Sequence, residues 1–552
     1  MGILLLILLL AAILRLVKLD EIPPGLHVDE AANAWNAYTL LKTGKDQHGV
    51  SWPIFFTRVF GDNRTTTYMY AALPFVAIGG MNVWTTRLPA ATGGVITVLL
   101  IYLIGARLFD RWTGLVAAAM LAVNPWHVQV SRFGHEATLV PLLITGTLAA
   151  FLWANLPIDD NYQRQPRPWA AALAGLVAGI GCYGYFAIRL FLPVFLLSVV
   201  LVTWRGWRNC LQTRNGSLAI CGLLLVGAIT AGPLFWKHIT YPELAERGRT
   251  AGWVWNGSDT LGEKVGKVMS RYPGHFGLDF LFMTGDKDPA LSPPTGMGLF
   301  YWYDLPLMLI GAVALALRLK RSPAARILLL WIVLYPIADL LNQHVSLHSL
   351  RSLPGLCGLI LLSAVGTVTA GKWLSTRPYM ATAVSCAMAV LVLSLNTRFI
   401  WSYFRSFRFQ KYPVMAYASD VLEATQWLRP RLKDVDAVFV TGSSTHPYIT
   451  TLIGLDYDPQ QWFRDTREIM PGPLPGGAYK YEDVYLRYGK MHFMFGDSSV
   501  AALETLLHNG KPDRVVFIVR PGELGLHRHA RPVHEIRNAE GQAVLWIFDI
   551  VL

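Results

Sequence analysis

The chain carries little charge. Only 15% of its 552 residues are Asp, Glu, Lys or Arg, where a soluble domain carries roughly 25%. Hydrophobic residues make up 53%, so the chain reads as an integral membrane protein. A Walker motif and a Gly-x-Gly-x-x-Gly strand-turn-helix unit are both lacking, which leaves a soluble nucleotide or nucleotide-sugar site without support. No Gly-x-Ser-x-Gly elbow and no His-Glu-x-x-His pair stand in the sequence. Neither repeats nor low-complexity segments occur. The five cysteines, Cys182, Cys210, Cys221, Cys357 and Cys386, all lie in or beside apolar segments. That excludes a disulfide framework or a cysteine-based metal site in the polar C-terminal part.

What is present is a series of apolar runs. Residues 2–17 form the first, with no basic n-region and no small-residue cleavage pattern. It reads as a retained span rather than a signal peptide, at the short end of the ~17–25 residue window. Further runs cover residues 87–106, 114–130, 137–156, 169–185, 190–204, 217–236, 299–317, 327–341, 353–370 and 379–395. Together they predict about eleven spans. Residues 68–83 are apolar too, but Pro74 and Gly79-Gly80 break the run, which favours a helix lying in the interface.

The net charge of +12 falls in short clusters between the runs. Such spacing follows the positive-inside rule and argues against nucleic acid as a partner. Arg107 and Arg111, then Arg164 and Arg167, then Arg205, Arg208 and Arg214, then Arg318, Lys320, Arg321 and Arg326, then Lys372 and Arg377 occupy alternate loops. Those loops are expected in the cytoplasm, with the amino terminus inside. The 18–86 loop, the turns at 131–136 and 342–352, the 237–298 loop and the C-terminal part then share the external side.

From about residue 400 the pattern changes. Short strand-like runs at 437–441, 514–519 and 543–550 alternate with helical patterns at 415–428 and 498–507, with a Pro/Gly loop at 470–477. Such alternation predicts a small α/β domain. The expected architecture is an α-helical polytopic membrane domain, residues 1–398, followed by an extracytoplasmic α/β domain, residues 399–552.

Polar groups that can do chemistry gather on the external side. The first loop holds the adjacent acids Asp29 and Glu30, then Arg64 and Tyr68. The 131–136 turn holds Arg132, His135 and Glu136, and the 342–352 turn holds His344, His348 and Arg351. Acids at the mouth of a span are costly to keep near hydrocarbon. A carboxylate there can take a proton from an acceptor hydroxyl or amine, and an arginine can grip a phosphate in bidentate fashion. Arg132 and Arg351 fit that role or one as lipid anchors, and His135 reads as a hydrogen-bonding neighbour of Glu136. A metal on His344 and His348 lacks a third ligand. No cofactor is expected, and a divalent cation is unsupported.

A run of motifs follows in order: Asp29-Glu30, Arg87-Leu88-Pro89-Ala90, Tyr102 to Phe109, Gly114 to Ala118, Asn124-Pro125, Ser131-Arg132 and later Arg351-Ser352-Leu353-Pro354. This order resembles the GT-C superfamily of membrane glycosyltransferases. The branch it looks most like holds the protein O-mannosyltransferases and the lipid A aminoarabinose transferase, which use polyprenyl-phosphate-linked sugars. The resemblance implies that Asp29 is the catalytic base, or orients the acceptor, with Glu30 beside it. Arg64 sits where relatives carry a basic residue that contacts the lipid phosphate, although their following Pro-Pro stretch is missing here. Glu136 lies one residue from the usual second acid, normally Asp, and Arg351 matches a late basic residue near the phosphate. Oligosaccharyltransferases of the superfamily use an Asp-x-Asp pair with a metal in the second external loop, where this chain has only Glu136.

The resemblance thus implies transfer of a sugar from a polyprenyl-phosphate donor to a glycan, lipid or protein acceptor, with inversion and phosphate as leaving group. The substrate-binding set is Arg64, Tyr68, Arg132, His135, Glu136, His348 and Arg351. The 237–298 loop, with Trp253, Trp255, Tyr272 and Asp279, is expected to cover the acceptor. A monomer in the cell membrane is expected. The competing expectation is a transporter or flippase for a lipid-linked glycan. Such proteins tend to show repeats and midplane binding groups, and neither appears here.

Overall fold

The computed structural model describes residues 2–60, 62–158, 164–241, 254–255, 257–288, 291, 297–342, 347–407, 416–444, 446–466, 487–494, 512–528, 530–538 and 540–551. Each of the eleven apolar runs holds a helix. Six helices are long and apolar enough to cross a membrane: Val83–Leu108, Glu136–Trp153, Arg214–Thr240, Pro323–Leu340, Ser349–Leu374 and Tyr379–Ser406. Phe186–Val202 and Trp204–Leu211, bent by 79°, make a seventh if taken together. Gly2–Leu16, Arg111–Val123, Pro168–Cys182 and Asp304–Ala316 are shorter apolar helices. At 1.5 Å per residue a fifteen-residue helix covers only about 22 Å, less than the ~30 Å hydrocarbon core. The interrupted run at 68–83 gives the helix Thr67–Gly79, ended by Gly80.

The chain forms two compact units. One joins residues 1–17 to 90–402, and the other joins 18–89 to 403–552. The 18–86 loop therefore groups with the C-terminal part, although its place in the sequence assigns it to the membrane domain.

Helices in the first unit approach closely through small residues. Helix Asp304–Ala316 meets Leu356–Leu374 at Gly311 and Gly366. A Cβ on Gly366 would stand 1.8 Å from the Leu307 carbonyl oxygen, and one on Gly311 2.2 Å from that of Leu362. Backbones this close replace a hydrophobic drive with van der Waals contact, as membrane helices require. Ser363 adds a buried hydrogen bond, donating to Asp304 Oδ1 at 2.9 Å.

The second unit is built on a six-stranded mixed sheet. Its strand order is Arg487–Tyr488, Met491–Met494, Ala437–Thr441, Arg514–Val519, Ala543–Val551 and His534–Arg537. The three central strands from Met491 to Val519 run parallel, and the outer ones are antiparallel. Ala437–Thr441 is buried throughout. Its alternate residues serve two cores, Val438 and Val440 on one face and Ala437 and Phe439 on the other, as the two-residue strand period dictates. Helix Ser419–Leu428 is shorter than the predicted 415–428, and the predicted helix at 498–507 and loop at 470–477 lie outside the described residues.

Helix Val28–Thr43 threads this core. One side packs Ala37 and Leu40 on Met69, Ala72 and Val76 of Thr67–Gly79. Another packs Ala31 and Trp35 among Tyr448, Leu452 and Trp462. Trp35 meets Trp462 edge to face at 6.0 Å, and Trp462 Nε1 donates to the Gln47 carbonyl at 2.9 Å. Burial all round explains why the helix lacks a clear apolar stripe.

Gly366→Leu should destabilise the helical unit by about 3 kcal/mol, the upper range for overpacking. Thermal unfolding in detergent checks this, and an unchanged midpoint would show that the helix pair can part without cost.

Candidate active site

Asp29 is placed by a helix start. His27 is the N-cap of Val28–Thr43, and its Nδ1 accepts from the Asp29 backbone N–H at 3.2 Å. The His27 N–H donates to Glu30 Oε2 at 3.0 Å, the reciprocal half of a capping box. An acid in the first turn also meets the positive end of the helix dipole. Both acids of the pair are therefore favoured where they stand.

They point to different partners. Glu30 is fully buried and is gripped by Arg87, with Nε to Oε1 at 2.8 Å and Nη2 to Oε2 at 2.9 Å. Arg87 donates its remaining N–H groups to the carbonyls of Leu19 (3.0 Å), Pro23 (2.7 Å) and Gly25 (2.7 Å). All five donors of the guanidinium are thus used. Gly25 has φ +69°, and a Cβ there would stand 2.5 Å from the Tyr417 carbonyl oxygen, so the turn admits only glycine.

Asp29 is only partly covered, with 15% of its side chain exposed, and Arg64 Nη2 lies 3.0 Å from its Oδ1. A short hairpin carries Arg64: Thr57–Val59 pairs with Asp62–Arg64, Thr57 opposite Arg64. Asp46 anchors the hairpin through Thr57 Oγ1 at 2.8 Å. His27 Nδ1 lies 3.7 Å from Asp29 Oδ2.

Sequence reading missed His446. Its ring stacks on Phe60 of the same hairpin, with centroids 4.1 Å apart and planes 13° from parallel. Both residues have left-handed backbones, φ +47° at His446 and +55° at Phe60, conformations that cost energy outside glycine and cluster at functional sites. Burial pushes the imidazole down to about 4, with Arg64 adding to the shift and Asp29 opposing it. Neutral His446 therefore faces the Asp29–Arg64 pair. Tyr68 is buried and donates to the Thr86 carbonyl at 2.8 Å, which makes it a fixed part of the scaffold.

The helical unit holds two further clusters. In one, Arg132 is buried and donates to the Leu14 carbonyl at 3.1 Å, which rules out a lipid-facing anchor. His135 Nδ1 accepts from the Ala137 N–H at 3.0 Å, and its Nε2 lies 3.6 Å from Glu136 Oε2. Nearby in the same unit is Arg15, not singled out from sequence. It donates to the carbonyls of Ala11, Ala122 and Leu121 and lies 2.7 Å from His127 Nδ1.

The other cluster centres on Asp339. Arg351 Nε lies 2.7 Å from its Oδ1, and His275 Nε2 3.0 Å from its Oδ2. Arg271 donates to the carbonyls of Leu340 and Asn342, close enough that the charges of Asp339 and Arg351 both act on it. Asp339 thus pairs with Arg351 and acts electrostatically on Arg271. Asp286 accepts from the Ser349 N–H at 2.6 Å and lies 3.9 Å from His348 Nδ1. Burial pushes His348 down from its ordinary range, with Asp286 opposing. His344 and Trp253 lie outside the described residues. No group of three metal-ligating side chains occurs among the described residues.

Residues 55–236 match the family model for dolichyl-phosphate-mannose-protein mannosyltransferase. No curated protein matches the chain. ArnT from Cupriavidus metallidurans bound to undecaprenyl phosphate is similar in structure, with a TM-score of 0.55 at 13% identity over 99% of this chain and 98% of that one. Its apo state gives the same values. The chain has the GT-C fold of membrane glycosyltransferases. AglB from Archaeoglobus fulgidus, in complex with an inhibitory peptide and a dolichol-phosphate, aligns with a TM-score of 0.48 at 13% identity, over 100% of this chain and 74% of that one.

Within the GT-C chain, Arg87, His446, Arg271 and Asp339 escaped sequence reading because their partners are remote. Arg87 could be inferred only as a basic residue left over in a motif.

Arg87→Met should cost about 3–5 kcal/mol, because it leaves Glu30 buried and unpaired. Thermal unfolding measures it, and Glu30→Gln should cost less. The His446 imidazole should titrate near 4, seen by NMR of histidine-labelled protein. Its folded value lies below the unfolded 6.5, so the folded state holds fewer protons between the two. Stability from this group is therefore lost as pH falls from 6.5 toward 4. Asp29→Asn should lower that midpoint further, and Arg64→Gln should raise it.

Proposed function

We propose that the chain transfers a sugar from a polyprenyl-phosphate donor to an acceptor, with Asp29 as the base. The carrying observation is the division between the paired acids. Glu30 has both oxygens on Arg87, while Asp29 stays partly exposed on the Arg64 hairpin. Glu30 is then a positioning residue and Asp29 the group that can meet a substrate.

The reaction is one displacement at the anomeric carbon. The acceptor oxygen or nitrogen forms the new bond as its proton passes to Asp29. The bond from carbon to the phosphate oxygen breaks, and polyprenyl phosphate leaves with the electron pair. A single displacement inverts configuration. Arg64 competes for the lone pairs that a base needs. A donor phosphate that draws Arg64 to itself releases the Asp29 carboxylate for the acceptor proton, so donor binding readies the base. Neutral His446, stacked on the same hairpin, suits a hydrogen bond to a substrate hydroxyl.

Arg351, paired with Asp339, and Arg271, within reach of the same charge, are the further phosphate-binding groups in this reading. Arginine suits a phosphate leaving group because its fork binds two oxygens and stabilises developing charge. Arg132, His135, Glu136 and His348 complete the proposed substrate-binding set. The undecaprenyl phosphate bound by ArnT and the dolichol-phosphate bound by AglB agree with a lipid-phosphate donor. The alternating arginine clusters support about eleven crossings and an external site, as the positive-inside rule directs.

Asp29→Asn should lower sugar transfer by about 100- to 10,000-fold, the usual range for a lost general base, with expression and thermal midpoint kept. The assay is purified protein against a panel of polyprenyl-phosphate sugars, and undiminished transfer by the variant would remove Asp29 from the mechanism. Arg351→Ala should raise the donor KM more than the acceptor KM. A change confined to the acceptor would contradict its phosphate role.

A further inference from the structure

Three arginines from three separate chain segments converge on one cavity of the helical unit. Its volume is about 230 Å³, and Arg107, Arg164, Arg321 and Ser322 line it together with apolar Leu108 and Leu156. A water molecule's share of the liquid is about 30 Å³, so the cavity takes a group of several heavy atoms. Arg107 lies in the last turn of Val83–Leu108. Arg321 precedes the N-cap Ser322 of Pro323–Leu334, so a positive helix end adds to the field. Among the described residues the lining holds no carboxylate and no aromatic ring. Three cationic forks without an acid call for an anion, and the missing ring speaks against a nucleotide base.

The level of the cavity is marked independently. Trp153 and Trp169 bracket the connection that carries Arg164, and they cross edge to face at 4.8 Å. They are 46% and 62% exposed, and Trp112, just beyond Arg107, is 62% exposed. Exposed tryptophans at helix ends mark the headgroup level of a bilayer. Basic pockets between membrane helices at that level bind anionic headgroups.

We propose that this cavity binds the phosphodiester headgroup of an anionic phospholipid. Arg107, Arg164 and Arg321 hold the phosphate, and the apolar lining residues Leu108 and Leu156 receive the start of the acyl chains. The proposal does not depend on the sugar-transfer reading.

Native mass spectrometry of the full chain in detergent tests it with dioleoyl phosphatidylglycerol, dioleoyl phosphatidylcholine and inorganic phosphate as probes. One phosphatidylglycerol should be retained at least tenfold more tightly than phosphatidylcholine. Each arginine replaced by glutamine should weaken retention about fivefold, as expected for one charge near an anionic surface. The variant with all three arginines replaced by glutamine should lose the preference, and Arg321→Glu, at an exposed position, guards against misfolding of that triple variant and should abolish the preference alone. Equal retention of the two lipids by the wild type would overturn the proposal, as would a preference that survives both variants. Displacement of the lipid by millimolar inorganic phosphate would overturn it too, assigning the cavity to a free anion. Asp159 and Asp160 follow Ile158 in sequence and lie outside the described residues. Lipid retention that appears only after both become Asn would show that they already neutralise the arginines, and would likewise refute the site.

Discussion

The buried pairing of Arg87 with Glu30 is the constraint on which the unit of residues 18–89 and 403–552 depends. Burying a charge without a partner costs several kcal/mol, so neither residue tolerates loss of the other. Arg87 also closes the turn at 19–25 through three carbonyls. One side chain thereby fixes the entry to helix Val28–Thr43, the capping acid of that helix and the loop before it. Lysine could not substitute, since three donors on one nitrogen cannot match a planar fork to a carboxylate and three carbonyls.

Helix geometry then separates the two acids. Neighbouring residues on a helix diverge by about 100°. Locking Glu30 inward on Arg87 turns Asp29 toward the hairpin and leaves a small part of it exposed. The hairpin, held by Asp46 and Thr57, brings Arg64 to one oxygen of Asp29 and Phe60 to the ring of His446. The Asp29 carboxylate is thus supported from the helix start, the hairpin and the C-terminal core at once, the support that the proposed role as base would require.

Much of this was legible in the sequence, and the remainder was hidden for physical reasons. Apolar runs announced the helices because hydrocarbon demands them. Strands Ala437–Thr441 and Arg514–Val519 announced themselves because both their faces are buried. The short strands at Arg487–Tyr488 and Met491–Met494 carry too few residues to show a period. Asp29 was visible as an acid in a costly place. The partner that holds Glu30 away from Asp29 was not, because Arg87 lies 57 residues away from Glu30. His446 was invisible for the same reason, since nothing local distinguishes it from an ordinary loop histidine. Tyr68 looked like a ligand because it follows Arg64 in the motif, yet its hydroxyl is held by Thr86.

The joining of residues 18–89 with residues 403–552 into one unit bears on how the C-terminal part contributes. A domain that merely followed the membrane helices could vary without touching chemistry. Here Tyr448, Leu452 and Trp462 share a core with Ala31 and Trp35, on the very helix whose first turn carries Asp29. Shifts in that core would move the carboxylate, and displacements of about 1 Å suffice to impair catalysis strongly. The α/β fold therefore supports the Asp29 carboxylate proposed as the base, and His446 at the start of helix Pro447–Gly454 is where that support stacks on the hairpin that carries Arg64.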